Sequence, residues 1–162
     1  MLHYKANESK KSSHFYLNTK LESIYLLLFK TIDEDVQSFE DGYLQENLVE
    51  MKIVRLTEKR EHFCSGLALT VKSIFDNLLH KHNDYIIYAS VPIGSAKEKL
   101  IMRFIENDDN DEFQYFYFKI DGFRWFFFNN DLKTNSVYLL NSIVSYLKRE
   151  FGATFEFDTG EL

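Results

Sequence analysis

The sequence predicts an α+β fold, in which a mostly antiparallel sheet built from hairpins carries about three helices packed on one face. Three observations lead to this prediction. Residues 113–128 place two aromatic, β-favouring runs around Asp121-Gly122, residues 64–81 repeat apolar side chains at helical spacing, and the β-rich segments before them are separated by short turns. Strands that follow one another closely in a chain usually pair as hairpins, so we expect an antiparallel sheet.

Length and composition indicate one globular domain. The chain has 162 residues, of which 45% are hydrophobic and 17% aromatic, enough for a core that needs no disulfide or metal. We expect a loose polar segment over residues 1–12 and a single domain over residues 13–162. The only cysteine, Cys64, excludes an internal disulfide, and no apolar run near the N-terminus resembles a signal peptide or a membrane span. These features predict a cytoplasmic protein without a cofactor.

The first part of the domain is predicted to contain three strands. Residues 14–19 and 24–32 are rich in β-favouring side chains and are separated by a short turn, which is typical of a hairpin. The acidic segment 33–42 carries turn residues without a clear period, so it is a loop or a short helix. Residues 48–56 alternate between apolar and polar side chains and give the third strand.

The clearest helix in the sequence covers residues 64–81. Its apolar side chains recur at helical spacing and form one stripe along about four turns. The stripe comprises Leu67, Val71, Ile74, Phe75 and Leu78. We therefore expect this helix to lie on the sheet with the stripe in the core.

A strand and a second helix follow. Residues 85–91 form a short apolar run that ends at Pro92, the only proline, and this pattern fits a buried strand. Ser95 and Glu98 have the spacing of a capping box, which predicts a helix over residues 96–107. The acidic run after it is expected to be a solvated loop.

The aromatic segment is predicted to be a β-hairpin. Asp121-Gly122 is a preferred dipeptide for a two-residue type I′ turn, because both positions require a positive φ. The turn fixes a register in which the facing pairs are Ile120 and Phe123, Phe118 and Trp125, and Phe116 and Phe127. These six residues form a wholly apolar face, which we expect in the core. The other face is mixed and carries Tyr115, Tyr117, Lys119, Arg124, Phe126 and Phe128.

A third helix is predicted near the end of the sequence. Thr134 or Asn135 can cap it, and Gly152 can end it. Its core-facing stripe comprises Val137, Leu140, Val144, Leu147 and Phe151. A last strand can follow at residues 154–158.

Several segments resemble a bacterial family of small proteins known only as a domain of unknown function. The segments are 15–19, 25–29, 70–75 and 100–105, together with Tyr88 and Lys97. The chain differs from the family where the family usually has Asp and Arg between strand and helix, since it has Ser90, Ile93, Gly94 and Ser95 there. The resemblance spans roughly residues 14–127 and implies the order of strands and helices, and it implies no activity.

Composition favours a non-enzymatic protein-binding module, an acidic inhibitor, antitoxin or immunity-like protein that acts by occluding its partner. The net charge of -6 opposes nucleic-acid binding and favours a protein partner that is basic. Tyr, Trp, Phe and Arg are enriched in interface cores, and the mixed face of the hairpin has this make-up, although a hairpin with both faces buried under helices explains the same residues equally well. The predicted binding residues are Tyr115, Tyr117, Arg124, Phe126, Asp108, Asp109 and Asp111.

The enzymatic alternative is a metal-dependent nuclease or phosphodiesterase. Glu50 and Lys52 stand two residues apart on a predicted strand, with Asp41 before them. Two acids could hold Mg²⁺ while a lysine orients water. The same Glu-x-Lys pair is also common as a solvated ion pair on an exposed strand face.

Two other groups of residues contain side chains that could bind a ligand. Gly94, Ser95 and Lys97 lie between a strand and a helix, where free N–H groups can bind an anion, although ordinary capping explains the same residues. The pairs His62-x-Cys64 and His80-x-His82 contain metal-ligand types without a recognised zinc spacing. We therefore predict no metal site.

Overall fold

The structure, a computed structural model, describes eight parts of the chain, which are residues 4–8, 12–18, 24–31, 48–57, 65–82, 85–106, 113–130 and Ser145. Their elements, in chain order, are β1 (Tyr4–Glu8), β2 (Ser12–Asn18), β3 (Ile24–Thr31), β4 (Leu48–Arg55), α1 (Ser65–Lys81), β5 (Ile86–Pro92), α2 (Ala96–Glu106), β6 (Gln114–Ile120) and β7 (Phe123–Asn129).

The described strands form one sheet of seven, in the order β1-β2-β3-β4-β5-β7-β6. Neighbouring strands are antiparallel with one exception, since β4 and β5 are parallel. Helix α1 connects these two strands and returns the chain to the end of the sheet at which β4 began. In the strand order, this parallel pair lies in the middle of the sheet.

The predicted fold class is wrong in its helix count and its sheet. The described residues contain two helices rather than about three, and the sheet is mixed because the α1 crossover makes β4 and β5 parallel. The polar segment 4–8, predicted to be loose, adds the edge strand β1. The third predicted helix, the last strand at 154–158 and both acidic loops lie outside the described residues, apart from Ser145, which is helical.

Both helices pack on the same side of the sheet, which we call the helix face. Its buried strand residues are Phe15, Leu17, Tyr25, Leu27, Phe29, Val49, Met51, Ile53, Ile87, Ala89, Val91, Phe126 and Phe128. The predicted stripe of α1 is fully buried against it, which confirms the helical period. Phe75 makes edge-to-face contacts with Phe128 at 4.8 Å and with Phe113 at 5.2 Å between ring centroids.

In the parts of the chain that the structure describes, neither helix could span a membrane.

The β6–β7 hairpin has the predicted turn and register. Asp121 and Gly122 both have positive φ, 48° and 80°, as a type I′ turn requires. Phe118 faces Trp125 as expected, and the apolar face is largely buried. The mixed side of the hairpin, however, lies on the helix face of the sheet. Phe126, on this side, is fully buried. Both sides of this hairpin therefore contribute to the interior.

Candidate functional site

The seam between β4 and β5 is paired at one end and open at the other. Pairing covers three positions and ends at Glu50 and Tyr88, although β4 continues to Arg55 and β5 to Pro92. A cavity of about 180 Å³ lies between the strands beyond this point. We call it the seam cleft, and its lining consists of Met51, Lys52, Ile53, Val54, Ala89, Ser90, Val91, Lys97 and Ile101.

The β4 side of the seam cleft presents unpaired backbone groups. The N–H of Leu56 donates to the carbonyl oxygen of Ile24, which continues the ladder with β3. Because ladder bonds alternate along an antiparallel strand, Ile53 and Arg55 turn their N–H and C=O groups away from β3 and toward the cleft. Both residues lie beyond Glu50, the last position of β4 that pairs with β5 among the described residues.

The β5 side is similar. The N–H of Ile93 donates to the carbonyl oxygen of Gly122, so the alternation turns the backbone groups of Ser90 away from β7 and toward β4. Pro92 points the same way, and it has no N–H to donate. As far as the described residues show, both strands therefore offer a short edge without a pairing partner, the feature to which an extended peptide can add as a further strand.

An exposed apolar row crosses the other side of the sheet at the open end of the seam. The strand register aligns Tyr16, Leu26 and Val54 on β2, β3 and β4, and it aligns Pro92 with Phe123 on β5 and β7. Tyr16, Val54 and Phe123 are 38%, 39% and 45% exposed. We call these five residues the apolar row. Exposed apolar residues grouped in this way mark interaction sites more often than isolated apolar residues do.

Sequence reasoning missed both features, although a signal for the apolar row was present. The outward positions of β4 change from charged, at Glu50 and Lys52, to apolar, at Val54 and Leu56. A strand face that is merely solvated would stay polar. The opening of the seam has no comparable signal, because it depends on how two distant strands diverge.

The carboxylate of Glu50 is fully engaged by its neighbours. Its Oε1 lies 2.9 Å from Nζ of Lys52, and its Oε2 accepts a hydrogen bond of 2.8 Å from the hydroxyl of Tyr88. The Tyr88 ring is stacked with Trp125 and Phe127, which fixes the direction of the hydroxyl. Glu50 and Lys52 thus form the solvated same-face pair, and the nuclease site predicted from them gains no support from this arrangement.

The other metal-ligand candidates gain no support from the described residues. Asp41, His62 and Cys64 lie outside the described residues. His82 stacks on Tyr85 with ring centroids 4.3 Å apart, and burial raises the pKa of Tyr85, partly offset by the charge of Lys81. Within the described ranges, no group of three His, Cys, Asp or Glu side chains could hold a metal ion.

The side-chain carboxylate of Glu98 lies at the N-terminus of α2. Glu98 accepts hydrogen bonds from the N–H of Gly94 at 3.2 Å and from Nε of Arg124 at 3.0 Å, while its own N–H donates to the Ser95 hydroxyl. The Ser95 hydroxyl therefore caps the helix as predicted, but the Glu98 carboxylate accepts from Gly94 and not from the N–H of Ser95, which donates to the carbonyl oxygen of Pro92. The Glu98 carboxylate thus occupies the Gly94 amide that the anion-binding alternative required. Lys97, the third residue of that alternative, is exposed, lines the seam cleft and makes no ion pair with a described residue.

The predicted binding residues of the hairpin lie on the helix face. Phe126 has no exposed surface, and Tyr115 and Tyr117 are half-buried against the core. The Arg124 guanidinium lies 5.0 Å from the centroid of the Tyr117 ring and is paired with Glu98. Asp108, Asp109 and Asp111 lie outside the described residues. A binding role for this set stays a prediction, and Phe126 could contribute to it only through the core.

Comparison with protein-family models, curated proteins and solved structures finds no match for this chain. The resemblance to a bacterial family of unknown function therefore stays a prediction. The features of the described residues that bear on function are the seam cleft, the apolar row and the charges around them.

Proposed function

We propose that this protein is a non-enzymatic protein-binding module that receives an extended segment of a partner in the seam cleft. The observation that carries the proposal is the open seam, in which Ile53 and Arg55 of β4 and Ser90 of β5 lie beyond the last β4–β5 pair among the described residues. Main-chain pairing at a free strand edge gives affinity for a peptide, and pockets beside the edge give specificity.

The apolar row supports the same proposal. Val54 belongs both to the row and to the lining of the cleft, so a partner segment in the cleft would also cover apolar surface. Neighbouring strands lie about 4.8 Å apart, so the row extends roughly 10 Å from Val54 to Tyr16. This is enough surface to form the apolar centre of a small interface with a polar rim.

Charge favours an acidic segment at this site. Lys52 and Lys97 line the cleft, and the only carboxylate in contact with either among the described residues belongs to Glu50. The chain as a whole carries a net charge of -6, which favours a basic partner over the rest of its surface. A partner protein that has an acidic segment and an otherwise basic surface would match both the lysines of the cleft and the negative charge of the whole chain. Occluding that segment would make the protein an inhibitor of its partner, as antitoxins and immunity proteins are.

The experiment compares Val54→Glu with Leu69→Glu in capture from the native host. Both residues are exposed and apolar, 39% and 52%, but Leu69 lies on α1, away from the seam cleft. We expect wild type and Leu69→Glu to retain a stoichiometric partner and Val54→Glu to lose it, with thermal unfolding showing that both variants fold. Retention by Val54→Glu at the wild-type level would refute the proposal.

A further inference from the structure

We infer that the segment received in the seam cleft is the C-terminal end of a polypeptide, whose free carboxylate is bound by Lys97. This inference depends on the proposed function, because it specifies which part of a partner protein enters the cleft.

The shape of the cleft favours a chain end over a continuous strand. The seam is closed at Glu50 and Tyr88 and opens toward Val54 and Pro92, so a peptide that enters it cannot continue past the paired end. A strand inserted along the whole seam would need β4 and β5 about 10 Å apart, which is twice the usual spacing. The cavity of about 180 Å³ is also smaller than sites for drug-sized ligands, which measure about 300–1,000 Å³. It suits one or two terminal residues.

The groups that line the cleft favour a carboxylate at that end. Lys97 is exposed and makes no ion pair with a described residue, whereas Lys52 already contacts Glu50 at 2.9 Å. A charge-assisted hydrogen bond from an ammonium group is among the stronger contacts available to a carboxylate. The backbone N–H of Ser90, directed into the cleft, can add a second donor.

The site is distinct from a helix N-terminal anion site. The Gly94 amide at the start of α2 donates to Glu98, and that carboxylate is also held by Arg124. An anion at the helix terminus would have to displace Glu98, whereas Lys97 needs no such displacement. The inferred contact therefore uses the lysine side chain and the strand edge.

The test uses two pools of fluorescein-labelled hexapeptides with random sequence, one ending in a free carboxylate and the other in an amide. Fluorescence polarisation measures the binding of each pool to the full chain. We expect the free-acid pool to bind at least about tenfold more tightly, as loss of one charge-assisted hydrogen bond implies. Lys97→Met should abolish this difference. Lys99→Met, which removes an exposed charge from the same helix outside the cleft, should preserve it.

Other results overturn the inference in distinguishable ways. If both pools bind equally and both lose binding with Val54→Glu, the cleft binds peptides but not through a terminal carboxylate, and the proposed function stands alone. If Lys99→Met acts like Lys97→Met, or if inorganic phosphate displaces the free-acid pool at equal charge concentration, the effect is general anion attraction. If neither pool binds, the inference is refuted, while capture from the native host still decides the proposed function.

Discussion

Phe118 and Phe123 lie on the same side of the β6–β7 hairpin and differ widely in burial. Phe118 is fully buried, whereas Phe123 is 45% exposed at the turn end of β7. Phe118→Ala should destabilise the protein by about 3–5 kcal/mol, because it removes buried apolar surface and leaves a cavity. Phe123→Ala should cost less than about 1 kcal/mol. Urea unfolding of both variants checks this, and similar losses would show that the burial pattern of this face is wrong.

Asn129 is an unusual buried residue. It is 2% exposed and faces Gln114 across the hairpin, yet neither its amide nitrogen nor its amide oxygen has a hydrogen-bond partner among the described residues. A buried polar group without a partner costs free energy that an apolar side chain of similar size does not. Asn129→Leu should therefore raise the free energy of unfolding by about 1 kcal/mol. A loss of stability in equilibrium unfolding would instead mean that the amide is satisfied in solution.

At the scale of elements, Glu98 joins α2 to the sheet. Its carboxylate connects the Gly94 amide and the Arg124 guanidinium, and both side chains of the ion pair are about one-sixth exposed, 15% and 16%. Removing one partner of a largely buried pair leaves the other charge without compensation.

Glu98→Ala should consequently destabilise the protein by about 1–3 kcal/mol, through loss of the cap and of the carboxylate that pairs with Arg124. The matched control is Lys99→Ala, which removes an exposed side chain from the next position and should change stability by no more than about 0.5 kcal/mol. Thermal unfolding of the two variants makes the comparison. Equal effects would show that the Glu98 contacts contribute little.

Elements with strong local signals could be predicted from the sequence. The apolar stripe of α1, the capping box of α2 and the Asp121-Gly122 turn each act over a few residues, and the observed bounds differ from the predicted ones by one residue at most in α1 and α2. Strand β1 was not predicted because its five residues are mostly polar and all lie in the exposed class, as an edge strand permits.

At the scale of the whole molecule, the sequence could not indicate which face of the hairpin the helices cover. A wholly apolar face and a mixed face were both available, and the wholly apolar one was expected in the core. The mixed face packs under α2 because Glu98 neutralises Arg124 and the Arg124 guanidinium lies over the Tyr117 ring. That arrangement depends on residues from three separate elements. No pattern within a short stretch of sequence shows that these residues meet.

The parallel pairing of β4 and β5 is a similar case. Their partnership follows from the path of the chain through α1, and the end of pairing at Glu50 and Tyr88 follows from the divergence of the two strands. The candidate site lies at this divergence. Its individual residues, such as Lys97 and Lys52, were noticed in the sequence, but their common location was not predictable.

Amide hydrogen exchange followed by NMR distinguishes an open, peptide-accepting seam between β4 and β5 from a closed one. In the free protein, the amides of Ile53 and Ser90 should exchange much faster than those of Val54 and Ala89, which the alternation directs into ladders with β3 and β7. Saturation with the free-acid peptide pool should slow exchange at Ile53 and Ser90. Equal protection of all four amides in the free protein would mean that the seam is closed, and unchanged exchange at Ile53 and Ser90 with peptide bound would mean that the edges do not pair with it.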